Sequence, residues 1–188
     1  VKAGIPTEHR TSRYNFPDMR DTGRWTIGPT VELRLVYGFS VEVDALYRGY
    51  REQSTFLSSE IIADDVAIPP FSVLSRTDTK VWDFPVLLKY RFGSRSFRPF
   101  VDAGYTWNHA TSDVTTFTVC QGSSSLCSTS NYYNAYRRTS FTDSSSGPAG
   151  GVGVEFKLGK FKLAPEVRYM HYSNPTSNLV TIMLGFTY

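Results

Sequence analysis

Trp25–Leu35 reads Trp-Thr-Ile-Gly-Pro-Thr-Val-Glu-Leu-Arg-Leu, and its polarity alternates from end to end. Trp25, Ile27, Pro29, Val31, Leu33 and Leu35 fall on one face. Thr26, Gly28, Thr30, Glu32 and Arg34 fall on the other. Side chains alternate across a strand, so period two predicts a strand with one apolar and one polar face. A turn at Tyr37-Gly38 follows. Then Phe39, Val41, Val43, Ala45 and Tyr47 alternate with Ser40, Glu42, Asp44, Leu46 and Arg48.

The same rhythm recurs along the chain. Trp82, Phe84, Val86, Leu88, Tyr90 and Phe92 oppose Asp83, Lys89 and Arg91. Pro99, Val101, Ala103, Tyr105 and Trp107 oppose Arg98, Asp102, Thr106 and Asn108. Val152, Val154, Phe156 and Leu158 oppose Gly153, Glu155 and Lys157. After Gly159-Lys160, Phe161, Leu163, Pro165, Val167 and Tyr169 oppose Lys162, Glu166, Arg168 and Met170. Val180, Ile182, Leu184, Phe186 and Tyr188 close the series, and Val1–Ile5 supplies a short first strand with Lys2 on its polar face. Eight antiparallel strands are an even number and can close first to last. The reading is all-β: one domain over residues 1–188, a closed antiparallel eight-stranded up-and-down transmembrane β-barrel.

Composition fits. Of 188 residues, 15% are Phe, Tyr or Trp, which favour strands. Mean hydropathy is −0.27, and no run approaches the ~18 apolar residues of a membrane helix. Taken alone that average suggests a soluble protein, but averaging hides an alternating face. The formal charge is +3, from 20 basic and 17 acidic residues, and no basic run points to nucleic acid. Val1 opens directly into a strand, so an exported chain is expected to have lost its signal already.

Connections alternate in length. Tyr37-Gly38, Gly93–Phe97 and Gly159-Lys160 are short. Pro6–Arg24, about Arg51–Lys80, about Ala110–Gly150 and the briefer Ser173–Ser177 are long or polar. Short periplasmic turns and longer external loops are the outer-membrane pattern.

Three arguments turn the apolar face outward, against a soluble barrel with an apolar core. An eight-stranded barrel has room only for the side chains that fill it, and the many rings of the apolar face would overfill it. The aromatics also sort by height. Trp25, Tyr47, Trp82, Tyr105, Trp107 and Tyr169 fall at the long-loop end. Phe39, Tyr90, Phe92, Phe161, Phe186 and Tyr188 fall at the short-turn end, with aliphatics between. Two girdles match two membrane interfaces. Finally, the apolar face carries no charge, and a basic residue at the lipid midplane would cost ~2–4 kcal/mol. The opposite face carries Lys2, Arg34, Arg48, Lys89, Arg91, Arg98, Lys157, Lys162 and Arg168 against Glu32, Glu42, Asp44, Asp83, Asp102, Glu155 and Glu166. Nine cations and seven carboxylates nearly balance and are expected to form a lumenal network.

The opening Val1-Lys2-Ala3-Gly4-Ile5-Pro6, the stretch Pro99-Phe100-Val101-Asp102-Ala103-Gly104-Tyr105 and the ending Gly185-Phe186-Thr187-Tyr188 resemble the OmpA-type small outer-membrane β-barrel family, a resemblance that covers the whole chain. It implies a cell with two membranes and recognition of Phe186 and Tyr188 by the barrel-assembly machinery. No peptidoglycan-binding segment is expected in this chain.

Chemistry is scarce. His9, His109 and His171 sit in loops or near the long-loop rim, with serines and Asp113 nearby in sequence, and no spacing singles out a triad. No cofactor, metal or phosphate-loop motif is found. Cys120 and Cys127 share a Ser-rich loop; a local disulfide and a pair of free thiols are the two readings, and the spacing fits no zinc pattern. That loop holds Tyr132, Tyr133 and Tyr136, adaptable contact residues. The second loop is apolar for a free loop, with Ile61, Ile62, Val66, Ala67, Ile68, Pro69, Pro70, Phe71, Val73 and Leu74. It reads as a lid over the mouth or as an interface. The expected function is non-enzymatic: a largely plugged barrel presenting loops for adhesion, self-association or lateral arrays. Its expected partners are outer-membrane lipid, lipopolysaccharide and the assembly machinery. A narrow ion or small-solute channel and a lipid-modifying rim enzyme are the alternatives.

Overall fold

The computed structural model describes residues 1–8, 25–58, 61–63, 66–68, 71–93, 97–120, 136–173 and 176–187. β1 (Lys2–Glu8) leads to β2 (Thr26–Gly28) and β3 (Thr30–Arg34), which are two parts of one barrel strand. The break is at Pro29, which has no N–H to donate but accepts from the Ala45 amide at 3.0 Å. Opposite lies a matching break at Ala45, between β4 (Phe39–Asp44) and β5 (Leu46–Ser58). Register is unchanged across it, with Thr26 opposite Arg48 and Thr30 opposite Asp44.

β6 (Ile61–Ala63) and β7 (Val66–Ile68) form a separate two-stranded ribbon. The remaining barrel strands are β8 (Phe71–Arg91), β9 (Phe97–Cys120), β10 (Tyr136–Leu158), β11 (Phe161–Ser173) and β12 (Thr176–Thr187). Each pairs antiparallel with its neighbour. β12 then pairs with β1 from Lys2 opposite Gly185 to Glu8 opposite Leu179. Val1 N donates to Phe186 O at 2.9 Å, and Phe186 N donates back to Val1 O at 2.8 Å. The sheet is therefore an eight-stranded antiparallel barrel, closed on itself. None of the described residues forms a helix long and apolar enough to cross a membrane.

The short turns carry the backbone that tight hairpins need. Tyr37 and Gly38 have φ of 57° and 85°, the two left-handed residues of a type I′ turn.

The apolar face points outward. Val31, Val43, Phe84, Val86, Leu88, Val101, Val167, Ile182 and Leu184 are exposed, while Glu42, Asp44, Asp83, Lys89, Asp102, Glu166 and Arg168 are buried inside. The aromatics form two belts. Trp25, Tyr47 and Trp82 are in ring contact at one height, as are Tyr105 and Trp107. Phe39, Tyr90 and Phe92 are in contact at the other end, as are Phe161 and Phe186. From Trp82 to Phe92, at ~3.3 Å per residue along a strand tilted by ~40°, the band is about 25 Å tall. That matches the apolar height of an outer-membrane barrel.

One expectation is corrected. The second and third long connections are largely strand. Arg51–Ser58, Phe71–Lys80, Ala110–Cys120 and Tyr136–Gly150 continue β5, β8, β9 and β10 in unbroken register. Ser173–Ser177 shrinks likewise, because Ser173 pairs with Thr176. Of the apolar second connection, Phe71, Val73 and Leu74 belong to the extended sheet, with Phe71 paired to Cys120 and Ser58, while β6 and β7 pair only with each other. His9, Cys127, Tyr132, Tyr133, Pro69, Pro70, Tyr188 and the side chains of Cys120, Ile61, Ile62, Val66, Ala67 and Ile68 lie outside the described residues.

Candidate functional site

Two regions could carry function: the lumen and the sheet above it. The lumen is filled in tiers. Its centre is a buried charge cluster on five strands. The Arg168 guanidinium donates to Asp44 at 2.5 Å, to Glu42 at 2.8 Å and to Glu166 at 2.6 Å. Lys2 Nζ donates to Glu166 at 2.6 Å and also to Glu42, which takes a further bond from Lys89. Lys89 Nζ also lies 4.2 Å from the centre of the Phe100 ring. Asp102 completes the group. It is buried, and neither carboxylate oxygen has a hydrogen-bond partner among the described residues.

Towards the short turns lies a looser set. Arg91 Nε donates to Glu155 at 3.1 Å, Nη1 to Ser40 at 2.7 Å, and Nη2 to Glu32. Arg34, half exposed, sits 3.3 Å from Glu32. At the opposite end Asp83 accepts from Tyr172 at 2.7 Å and Asn108 at 2.6 Å, and pairs with Arg48 at 3.2 Å. Between these groups is an apolar cluster of Leu87, Ala149, Met170, Tyr172 and Leu179.

The lumenal set named from sequence is thus brought together in most of its members, with two departures. Lys157 is exposed at the short-turn rim and bonds to none of the described carboxylates, and Arg98 and Lys162 are only half buried. The interior is also less uniformly polar than alternation implied, since Val81, Leu87, Phe100, Leu179 and Met183 are buried in it. The signal for this packing was the small residues on the polar face of β10. A Cβ on Gly153 would meet Phe100 Cζ at 2.4 Å and Pro165 O at 2.5 Å. A Cβ on Gly151 would meet Asp102 Oδ1 at 2.9 Å and Glu166 Oε1 at 3.3 Å. That wall is left bare of side chains, and the large groups of other strands occupy the space.

Above the long-strand rim, β5, β8, β9 and β10 rise as an open four-stranded sheet. From His109 to Cys120, β9 gains about 36 Å along the strand. Among the described residues, β5 beyond Arg48 pairs only with β8, and β10 beyond Ala149 towards its start pairs only with β9. Among the described residues, neither outer strand pairs with a further strand there. Phe56, Leu57, Leu74, Phe117, Tyr136 and Phe141 are exposed on this sheet. Ion pairs stiffen it. The hydrogen bond from Arg51, with a second from Arg76, holds the Asp78 carboxyl below its usual range. The hydrogen bond from Ser140 does the same for Asp113, with Arg138 3.5 Å away.

Neither His109 nor His171 assembles a triad with the described residues. His109 Nδ1 lies 3.1 Å from Ser144 Oγ, and His171 Nδ1 lies 2.8 Å from Asn178 Oδ1. Neither ring bonds to a carboxylate among the described residues. No group of three or more His, Cys, Asp or Glu able to hold a metal occurs among them either.

Residues 10–188 match the family model for the outer membrane protein beta-barrel domain. The chain belongs to this outer-membrane β-barrel family. The family resides in the bacterial outer membrane, the setting in which an outward apolar band between two aromatic belts is stable. No curated protein sequence matches the chain. Among solved structures, the chain is similar to the crystal structure of Ail, the attachment invasion locus protein of Yersinia pestis. Identity is 13%, coverage 98% of this chain and 91% of that one, and the TM-score 0.45. A second structure of Ail, in complex with the heparin analogue sucrose octasulfate, aligns at 12% identity. It covers 98% of this chain and 95% of that one, with a TM-score of 0.33.

Proposed function

We propose that the protein is a non-enzymatic surface barrel of the outer membrane, with a lumen closed to solutes and a raised sheet that makes contacts outside the cell. Short turns face the periplasm in such barrels and long segments face outward. By that rule β5, β8, β9 and β10 project from the cell. The observation that carries the reading is the raised sheet itself, whose strands β5, β8, β9 and β10 continue in register well past the long-strand rim and whose two outer strands pair with no further strand among the described residues. An exposed edge offers a row of free N–H and C=O groups to any incoming strand. Alternate side chains then select the partner. Adhesion to another surface and association between copies use the same edge.

The filled centre argues for a closed lumen. Arg168, Glu42, Asp44 and Glu166 block the axis with side chains that bond to one another. A permeating ion would have to break those bonds. The outward belts meet lipid and lipopolysaccharide, and Phe186 with Tyr188 forms the signal read by the assembly machinery.

The test is replacement of residues 51–78 and 113–143 by short turns, leaving the barrel intact. Cells displaying the full chain should settle together or bind a surface, and cells displaying the shortened chain should do neither while keeping the barrel in the membrane. Equal settling and binding by both would remove the raised sheet from the function. Steady unitary currents in a planar bilayer would favour a channel instead.

A further inference from the structure

The nine lumenal cations and seven carboxylates are not evenly mixed. The central cluster holds Lys2, Lys89 and Arg168 against Glu42, Asp44, Asp102 and Glu166, one negative charge in excess. The long-strand end pairs Arg48 with Asp83 and is neutral. The short-turn mouth is left with Arg34, Arg91, Arg98, Lys157 and Lys162 against Glu32 and Glu155, three positive charges in excess. Two of those cations face each other. Lys157 and Lys162 are directly opposite in the β10–β11 ladder and so share a face. Like charges directly opposite destabilise a sheet unless something neutralises them.

A cavity opens at the same place. It measures about 200 Å³ and is lined by Thr30, Arg34, Lys162 and Thr187 around the buried heads of Lys2 and Arg91. At ~30 Å³ per water molecule it has room for about six waters, or for a small ion with part of its hydration shell. The Thr30 hydroxyl is buried and has no partner among the described residues. Glu32, Glu42 and Glu155 also line the cavity, but each is already paired: Arg91 bonds to Glu32 and Glu155, Arg34 lies 3.3 Å from Glu32 and 3.9 Å from Glu155, and Lys2 and Lys89 bond to Glu42.

We propose that this mouth is a binding site for a phosphate group. A carboxylate offers two acceptor oxygens on one side. A phosphate monoester carries nearly two negative charges at neutral pH and three strong acceptor oxygens. It can reach the half-exposed Arg34 guanidinium, the ammonium of Lys162 and the Thr30 hydroxyl at once, and it relieves the Lys157–Lys162 opposition. The phosphate is either a soluble ion or ester, or the headgroup of a lipid in the adjacent leaflet.

The experiment is NMR of the folded full chain, with amide shifts followed at Thr30, Lys162 and Ala164. In one arm, inorganic phosphate is titrated into neutral-detergent micelles at constant ionic strength against chloride. In the other, nanodiscs of phosphatidylcholine are compared with nanodiscs doped with phosphatidic acid. Saturable shifts confined to the mouth support the site, from a soluble source in the first arm and from a headgroup in the second. Lys162→Gln should weaken them about tenfold, the loss of one charge-assisted hydrogen bond. Lys160→Gln, on the turn and outside the cavity, should leave them unchanged. No saturable shift in either arm overturns the proposal, and so does wild-type affinity in a folded Lys162→Gln protein.

Discussion

Arg168→Met is the sharpest perturbation of the lumen. Arg168 is fully buried and donates to three carboxylates, Glu166 on its own strand and Glu42 and Asp44 on β4, with which β11 does not pair. Methionine fills much of the same volume without the charge. The central cluster then holds Lys2 and Lys89 against four carboxylates, with Asp44 stripped of its 2.5 Å partner. Removing one member of a buried ion pair typically destabilises by about 3–5 kcal/mol, because the remaining charge stays buried unpaired. At ~1.4 kcal/mol per tenfold, the unfolded fraction rises by about two to three and a half orders of magnitude. Urea unfolding of the barrel in phosphatidylcholine vesicles, followed by tryptophan fluorescence, measures the difference. Combining Arg168→Met with Asp44→Asn removes the stranded carboxylate and should recover part of the loss, a coupling that a double-mutant cycle isolates. A single Arg168→Met variant within about 1 kcal/mol of wild type would refute the view that this cluster is a bonded plug. The side chains would then be separately solvated in an open lumen.

Gly153→Ala should destabilise the barrel by about 1–3 kcal/mol in the same assay, since the new methyl meets the Phe100 ring and a backbone carbonyl; an unchanged midpoint would mean that Phe100 is free to move. Val86→Lys, on the outward face between the belts, should cost ~2–4 kcal/mol, while Trp82→Lys in the belt should lose less of its stability to the charge itself. Equal penalties would argue against a depth gradient. The raised sheet should loosen in acid. Arg51 and Arg76 depress the Asp78 carboxyl, so its stabilisation is present above the unfolded value of 3.8 and is lost as pH falls through the lower folded value. Hydrogen exchange at residues 51–53 and 76–78 should quicken below about pH 4, and Asp78→Asn should remove that dependence.

The barrel was legible in the sequence because each of its strands has lipid on one side. That contrast imposes strict alternation, and it also fixed which residues are lumenal. The raised strands were not legible, because water meets both faces and no alternation is required. His109–Cys120 is rich in Thr and Val, which favour strands, but its polarity has no period. Tyr136–Ser146 is dominated by Ser, Thr and Arg and reads as a loop, yet it pairs residue by residue with β9. Alternation placed the lumenal charges on one face, while their partition into a negative centre and a positive mouth depended on register. Neither Lys157 opposite Lys162 nor the bare wall at Gly151 and Gly153 is visible until the strands are aligned.

The outward orientation of the apolar face is the claim on which the rest depends, and the three tryptophans test it directly. Trp25, Trp82 and Trp107 are all exposed on the outer surface and belong to one belt. The protein should be refolded into vesicles whose lipids carry bromine at graded depths along the acyl chain. Bromine near the headgroup should quench tryptophan emission strongly, and bromine near the bilayer centre only weakly. Emission unaffected at every depth would contradict the account, and would mean that these rings line the inside of a barrel in water.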